Sequence, residues 1–209
     1  MARNAFHAHA TAISVPYLVH FTRVVNLPSI MQHGLYPMSR MDEIGAVPQI
    51  NDDLRLDGHL GGISLSIGFP NYRMFYRLRQ ENPCVHWSVL VIDPTVLWVK
   101  DCAFCRHNAA DARISHQPLG QLKTIEAFVG MYAEIEGLDS RLNQRLRAYD
   151  PTDGQAEVLV FDVIEPQFIL RAAFEHEAVR LDHEGIFNGR LLETHRTGRG
   201  FFAARSFVR

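Results

Sequence analysis

The sequence predicts an α+β protein built on a mostly antiparallel sheet, and three observations lead there. Ile63, Leu65, Ile67 and Phe69 alternate with Ser64, Ser66 and Gly68, the period of a strand with one buried face. Residues 85–92 (VHWSVLVI) and 156–163 (AEVLVFDV) are further apolar runs of strand length, each bounded by turn-forming residues. Strands and helices do not alternate regularly along the chain, which disfavours a doubly wound parallel sheet.

The elements follow in order. Residues 17–21 read as a first strand. A short helix over 27–33 follows, with Asn26 as its expected N-cap, Pro28 tolerated in the first turn and Gly34 as its stop. Residues 36–61 hold Pro37, Gly45, Pro48, Gly58 and Gly61, a long irregular segment of the kind that often covers a site. Pro70-Asn71 ends the second strand, and residues 72–80 form a helix with Met74, Phe75 and Leu78 turned inward. After the strand at 85–92, Asp93-Pro94 makes a turn and residues 96–99 suggest another strand. Residues 101–120 read as irregular, 122–132 and 140–149 as helices, and Asp150 to Gly154 as a turn cluster. Strands at 156–163 and 168–172 complete the expectation.

Bulk properties narrow the class. The 209 residues, 47% of them apolar, suffice for one domain with a full core, and a single domain over 1–209 is expected. Neither a membrane-length apolar run nor a continuous signal-type hydrophobic segment stands out, so a cytoplasmic protein is expected. Three cysteines suit a reducing compartment better than a disulfide framework. A formal charge of −2 supplies no global attraction to nucleic acid. Locally the balance differs. Every basic residue except Lys100 and Lys123 is arginine, through coding bias or because arginine forks match phosphates. From Gly189 onward Arg190, Arg196, Arg199, Arg205 and Arg209 face one acid, Glu193, which suits either a nucleic-acid backbone or a solvated end.

Several residues carry possible chemistry. His20 and Thr22 share a face of the first strand and lead into a helix start, where free backbone N–H groups favour anions. Glu157 opens an apolar strand after a glycine turn. It is either an edge residue in solvent or a carboxylate held beside low-dielectric walls, suited to a developing cation or a hydroxyl. Arg55 lies in the long segment among Asp52, Asp53 and Asp57, as a surface ion pair or as an arginine brought to a bound ligand. Cys102-x-x-Cys105, with His107 nearby, lacks the second spaced pair of a zinc site, and no metal is expected. Phosphate-binding glycine loops, a G-x-S-x-G elbow and H-E-x-x-H are all missing from the sequence.

The stretch HFTRVVNLPSIMQHGL resembles the opening motif of the DarT family of DNA ADP-ribosyltransferase toxins. Further pieces match in order: the loop arginine as Arg55, a helix start with Pro70, Met74 and Tyr76, the segment FCRHNAADARIS at 104–115, and Gln155-Ala156-Glu157. The likeness spans residues 17–165. It departs at Ser64-Leu65-Ser66-Ile67 and Asn71-Tyr72-Arg73, which leaves thymine and guanine both open as the target base. The resemblance implies an ADP-ribosyltransferase-like fold, a central split, mostly antiparallel sheet flanked by helices. It implies NAD as co-substrate, single-stranded DNA as acceptor and an antitoxin that removes ADP-ribose as partner. It implies Glu157 and Arg55 as catalytic residues, and His20, Thr22, Asn26, Leu27, Ser64, Ser66, Met74 and Tyr76 as cofactor-binding. The rival expectations are the same chemistry on protein or RNA, and a non-catalytic nucleic-acid-binding module.

Overall fold

A computed structural model describes residues 2–45, 49 and 61–208. In chain order the helices are α1 (Ala2–Ala12), α2 (Leu27–His33), α3 (Tyr72–Glu81), α4 (Val96–Val99), α5 (Ala112–Ser115), α6 (Leu119–Leu122), α7 (Ile125–Gly130) and α8 (Glu177–His183). The strands are β1 (Leu18–Arg23), β2 (Ile63–Ile67), β3 (Trp87–Ile92), β4 (Cys102–Cys105), β5 (Glu157–Val160), β6 (Ile169–Phe174) and β7 (Leu191–Thr194). They form one sheet in the order β4-β5-β2-β1-β3-β6-β7, antiparallel except for β6 and β7. The α+β expectation therefore holds. The parallel pair is possible because α8 lies between its strands and carries the chain back.

The sheet is split within β2. Residues Ile63, Ser64 and Leu65 pair with β5, whereas Ser66 and Ile67 pair with β1. The β1–β2 ladder ends after Val19↔Ser66, while β1 runs on beside β3 as far as Arg23↔Trp87. One face of the whole sheet is covered by a continuous core that includes Leu18, Leu65, Val158, Phe104 and Phe174, with Leu27 and Ile30 of α2 packed on it. The opposite face carries two separate clusters. One lies over β1, β3 and β6 around Val19, Val89 and Phe75; the other lies over β4 and β5 around Ala103, Cys105 and Leu159.

Helix α2 has the predicted bounds. Its stop depends on Gly34, whose φ is +98° and whose added Cβ would lie 2.4 Å from the Ile164 carbonyl oxygen. Asn26 is not a side-chain cap; its backbone is helical and its amide is engaged elsewhere. Residues 96–99 form a helical turn, not a strand, because the Asp93 carboxylate takes the Thr95 N–H at 2.8 Å and starts the chain turning. The stretch 101–120 contains β4, whose four residues are too few to show a period. Residues 122–132 break into parts of α6 and α7, since the Thr124 hydroxyl caps a new start. No helix forms over 140–149: Arg145 adopts φ +54°, and Arg141 spends its guanidinium on nearby carbonyls.

At the N-terminus, α1 packs Phe6 on Phe104 and Phe128. Among the described residues no helix is long and apolar enough to cross a membrane.

Strand β4 also answers the Cys102–Cys105 question. Residues three apart on a strand point to opposite faces, and the two thiols pack into different clusters. They cannot meet at one ion without breaking the strand. Burial pushes the Cys102 thiol up to about 12. Native protein treated with iodoacetamide at neutral pH is therefore expected to be alkylated at exposed Cys84 alone, with Cys102 and Cys105 reacting only after denaturation. Peptide mass mapping checks this.

Candidate functional site

The split in β2 gathers the polar residues. Ser66 and Glu157 flank the last β2–β5 pair, Leu65↔Val158, at the point where β2 changes partner. Alternation along the strands puts Ser64, Ser66 and Glu157 on the face that carries two clusters, in the gap between them. His20 and Thr22 alternate onto the other face with Leu18. The two sides are joined through the opening by a 2.9 Å bond from His20 Nδ1 to the Ser64 carbonyl. A carbonyl only accepts, so the Nδ1 proton is fixed, and in the neutral ring Nε2 carries the lone pair.

Glu157 is 6% exposed and is no solvent-edge residue. Its carboxylate accepts from the Asn108 amide at 3.2 Å and from the Ala109 N–H at 3.0 Å. Both donors come from the segment that follows β4, and Asn108 Oδ1 holds that segment by accepting the Ala110 N–H at 2.9 Å. The carboxylate is thus charge-compensated by fixed dipoles and held in one position.

The turn leading into Glu157 is held from several sides. Arg141 donates to the Asp150 carbonyl at 2.7 Å, the Arg147 carbonyl at 2.9 Å and the Thr152 hydroxyl at 3.0 Å. Arg205, buried although it belongs to the C-terminal segment, donates to the Pro151 carbonyl at 2.8 Å and the Thr152 carbonyl at 3.3 Å. His107 donates to Asp153 at 2.8 Å, and Asp153 accepts the Gln155 N–H at 2.9 Å. Gly154 lets the turn close: a Cβ there would sit 2.9 Å from the Tyr72 ring and 3.4 Å from the Arg205 guanidinium.

Across the gap, Asn71 caps α3 by accepting the Met74 N–H, and its own N–H donates to the Ser66 hydroxyl at 3.2 Å. Its Nδ2 is buried with no partner among the described residues, a donor that a bound polar ligand would satisfy.

The predicted site residues therefore separate. Ser64, Ser66 and Glu157 come together, His20 reaches them through the split, and Met74 lies at the start of α3, partly buried against the adjoining cluster. Thr22, 2% exposed, accepts from Asn26 at 3.1 Å. The Asn26 amide is fully used, since it also donates to the Gln49 carbonyl and accepts the Gln49 N–H, both at 2.9 Å. Its role is to fasten the long segment at Gln49. Leu27 is 0% exposed and its N–H bonds to the Val24 carbonyl, so its side chain belongs to the core. Tyr76 is 61% exposed and lines a different groove, formed with the C-terminal segment. Arg55 lies outside the described residues. Asn71, Asn108, Arg141 and Arg205 were not singled out from sequence. Asn71 after Pro70 carried a legible capping signal; Asn108 and Arg205 act through partners about fifty residues away, and Arg141 through the irregular turn just after it.

The chain matches the family model described as DarT, ssDNA thymidine ADP-ribosyltransferase, over residues 19–197. No curated protein sequence matches it. Among solved structures it is similar to Thermosipho africanus DarTG in complex with ADP-ribose, at TM-score 0.59 and 17% identity, over 89% of this chain and 50% of that one. The chain thus spans half the length of that DarTG chain. It is also similar to Thermus sp. 2.9 DarT in complex with carba-NAD+, at TM-score 0.57 and 14% identity, over 87% of this chain and 96% of that one. The same Thermus protein in complex with ADP-ribosylated ssDNA matches at TM-score 0.54 and 14% identity, over 87% and 93% of the two chains. These likenesses confirm the fold.

Removing Arg205 leaves the Pro151 carbonyl without its donor, worth about 1–3 kcal/mol when buried, and takes from the Thr152 carbonyl one of its two donors, the other being the Gln144 amide. Arg205→Ala is expected to lower the unfolding free energy by about 2–4 kcal/mol in urea titration. It should also open the 147–155 turn to limited proteolysis, with cleavage sites read by mass spectrometry.

Proposed function

The chain belongs to the DarT family, and from that premise we propose that it is an NAD-dependent ADP-ribosyltransferase that modifies a thymine of single-stranded DNA. The observation that carries this reading is Glu157, a buried carboxylate fixed by Asn108 and Ala109 at the point where the sheet splits. The choice of thymine is supported by the description of the family model.

The chemistry breaks the bond between the nicotinamide nitrogen and the ribose, the electron pair leaving with nicotinamide. A base nitrogen then bonds to the sugar carbon and gives up its proton. Glu157 stabilises the positive charge that develops on the sugar and receives that proton. Its fixed donors keep it aimed without reorganisation during the reaction. Arg55 has the role of orienting the base and balancing the negative charge on it.

The residues present fit NAD. The unpartnered Asn71 Nδ2 lies beside Ser66, and ribose hydroxyls and amide groups are the partners such a donor takes. Ser64, Ser66, Asn71 and Met74 would hold the end nearest Glu157, with His20 presenting a ring nitrogen from the other side of the split. Thr22 supports this corner through Asn26. We further propose a cytoplasmic toxin restrained by an antitoxin that removes ADP-ribose, a role supported by the likeness to DarTG.

Incubation with NAD and mixed-sequence single-stranded oligonucleotides, followed by nucleoside mass spectrometry, tests the reading. Thymidine carrying ADP-ribose is expected. Modified guanosine would reassign the base, and label confined to protein or RNA would overturn the DNA acceptor. Glu157→Gln keeps the volume but removes the charge, and is expected to lower transfer at least about 100-fold with an unchanged circular dichroism spectrum. His20→Ala is expected to raise KM for NAD about tenfold, without changing which base is modified, in steady-state assays.

A further inference from the structure

A second concavity lies beside the site. It is a groove of about 580 Å³ between α3 and the C-terminal segment, bordered by Tyr72, Arg73, Tyr76, Gly198, Phe202 and Phe207. Tyr76 is 61% and Phe207 83% exposed, large apolar rings that the fold leaves uncovered. They are not loosely hung. Tyr76 sits on α3, whose Phe75 and Leu78 are core residues, and Phe207 is two residues from Arg205, locked into the Pro151–Thr152 carbonyls.

The charged residues that line this groove, Arg73 and Arg79, are both arginines. Arg73 is exposed on α3 with its guanidinium over the Tyr72 ring, and Arg196 and Arg199 are exposed around Gly198. Of the acids nearby, Glu175 is spent on Arg79 and on the Thr197 hydroxyl at 2.5 Å, and Asp153, whose charge reaches Arg73, is bonded to His107. Of the arginine-rich end, Arg190 and Arg205 bind backbone carbonyls, so Arg196 and Arg199 alone among its described members are presented to solvent.

The groove adjoins the turn that precedes Glu157. The Tyr72 ring borders the groove and also packs against Gly154, three residues before the carboxylate. The family match ends at residue 197, so one wall of the groove is built by residues beyond it.

Aromatic rings exposed on rigid elements, interleaved with arginines and continuous with a nucleotide-modifying centre, form the surface that takes unpaired bases and their phosphates. We propose that this groove binds the nucleotides of single-stranded DNA that flank the modified base, their bases stacking on Tyr76 and Phe207 and their phosphates lying along Arg73 and Arg199. The proposal rests on the DNA reading above and extends it to a strand-binding subsite.

The test uses the full chain and fluorescein-labelled single-stranded oligonucleotides in two lengths, a trinucleotide and a twelve-nucleotide strand, each with one thymine. Anisotropy reports binding and mass spectrometry reports transfer. Wild-type protein is expected to prefer the long strand, and Phe207→Ala to lower affinity for it about tenfold with no loss on the trinucleotide. Arg199→Ala is expected to act in the same direction and to flatten the salt dependence. Both side chains are exposed, so folding is not at issue. Equal loss on both lengths, or none, overturns the subsite while leaving the enzyme reading intact. Wild-type protein that neither binds nor modifies any oligonucleotide overturns both. Dissociation of a dimer by Phe207→Ala in sedimentation, with DNA affinity unchanged, would give the groove to a second copy of the chain.

Discussion

The site exists because β2 cannot serve two neighbours along its whole length. It bonds β5 with one half and β1 with the other, and the ladder on each side stops where the other begins. A continuous sheet would fill that point with paired backbone and a closed apolar face. Here the face that carries clusters is interrupted, and Ser64, Ser66 and Glu157 occupy the interruption. Burying a carboxylate in such a place is costly unless donors meet it. Asn108 and Ala109 do so, and their position depends in turn on β4 pairing with β5.

The turn before Glu157 shows the same economy. It has no regular secondary structure, and its carbonyls would otherwise need water. Arg141 from one side and Arg205 from the other supply several donors each, in the planar fork that suits this task. A carboxylate mounted on that turn inherits its rigidity. The link from the C-terminal segment to the reaction centre is therefore mechanical and short: Arg205 holds the carbonyls of Pro151 and Thr152, and Gly154 rests between Tyr72 and Arg205.

How much of this was legible in the sequence follows from the range of each interaction. Alternation revealed β2, and apolar runs of strand length bounded by turn residues revealed β3 and β5, whose positions are all buried. The limits of α2 were legible from Pro28 and Gly34, both local signals. Strand β4 was not, since four buried residues carry no period and the cysteines drew attention to metal chemistry instead. The helix expected over 140–149 does not form because Arg141 binds carbonyls and a hydroxyl of the turn just after it, six to eleven residues on, a local competition that propensity does not register. Glu157 was recognisable as the mouth of an apolar strand and by its family motif, but its donors lie 48 and 49 residues away in sequence. Leu27 shows the limit of a motif: the resemblance marks it as a cofactor-binding position, and its side chain serves the core.

The division of residues across the split gives the proposed reaction a spatial logic. His20, Thr22 and Asn26 stand on the side of the continuous core, bonded to one another's elements and to the long segment through Gln49. Ser66, Asn71 and Glu157 stand on the interrupted side, where the groove along α3 arrives. A dinucleotide reaching through the opening would place its reacting bond at the boundary between them, with the acceptor approaching along α3. One side would then set the cofactor and the other the acceptor, with Glu157 common to both. Changes in the preferred strand could accumulate along α3 and the C-terminal segment without disturbing His20 or its bond to Ser64.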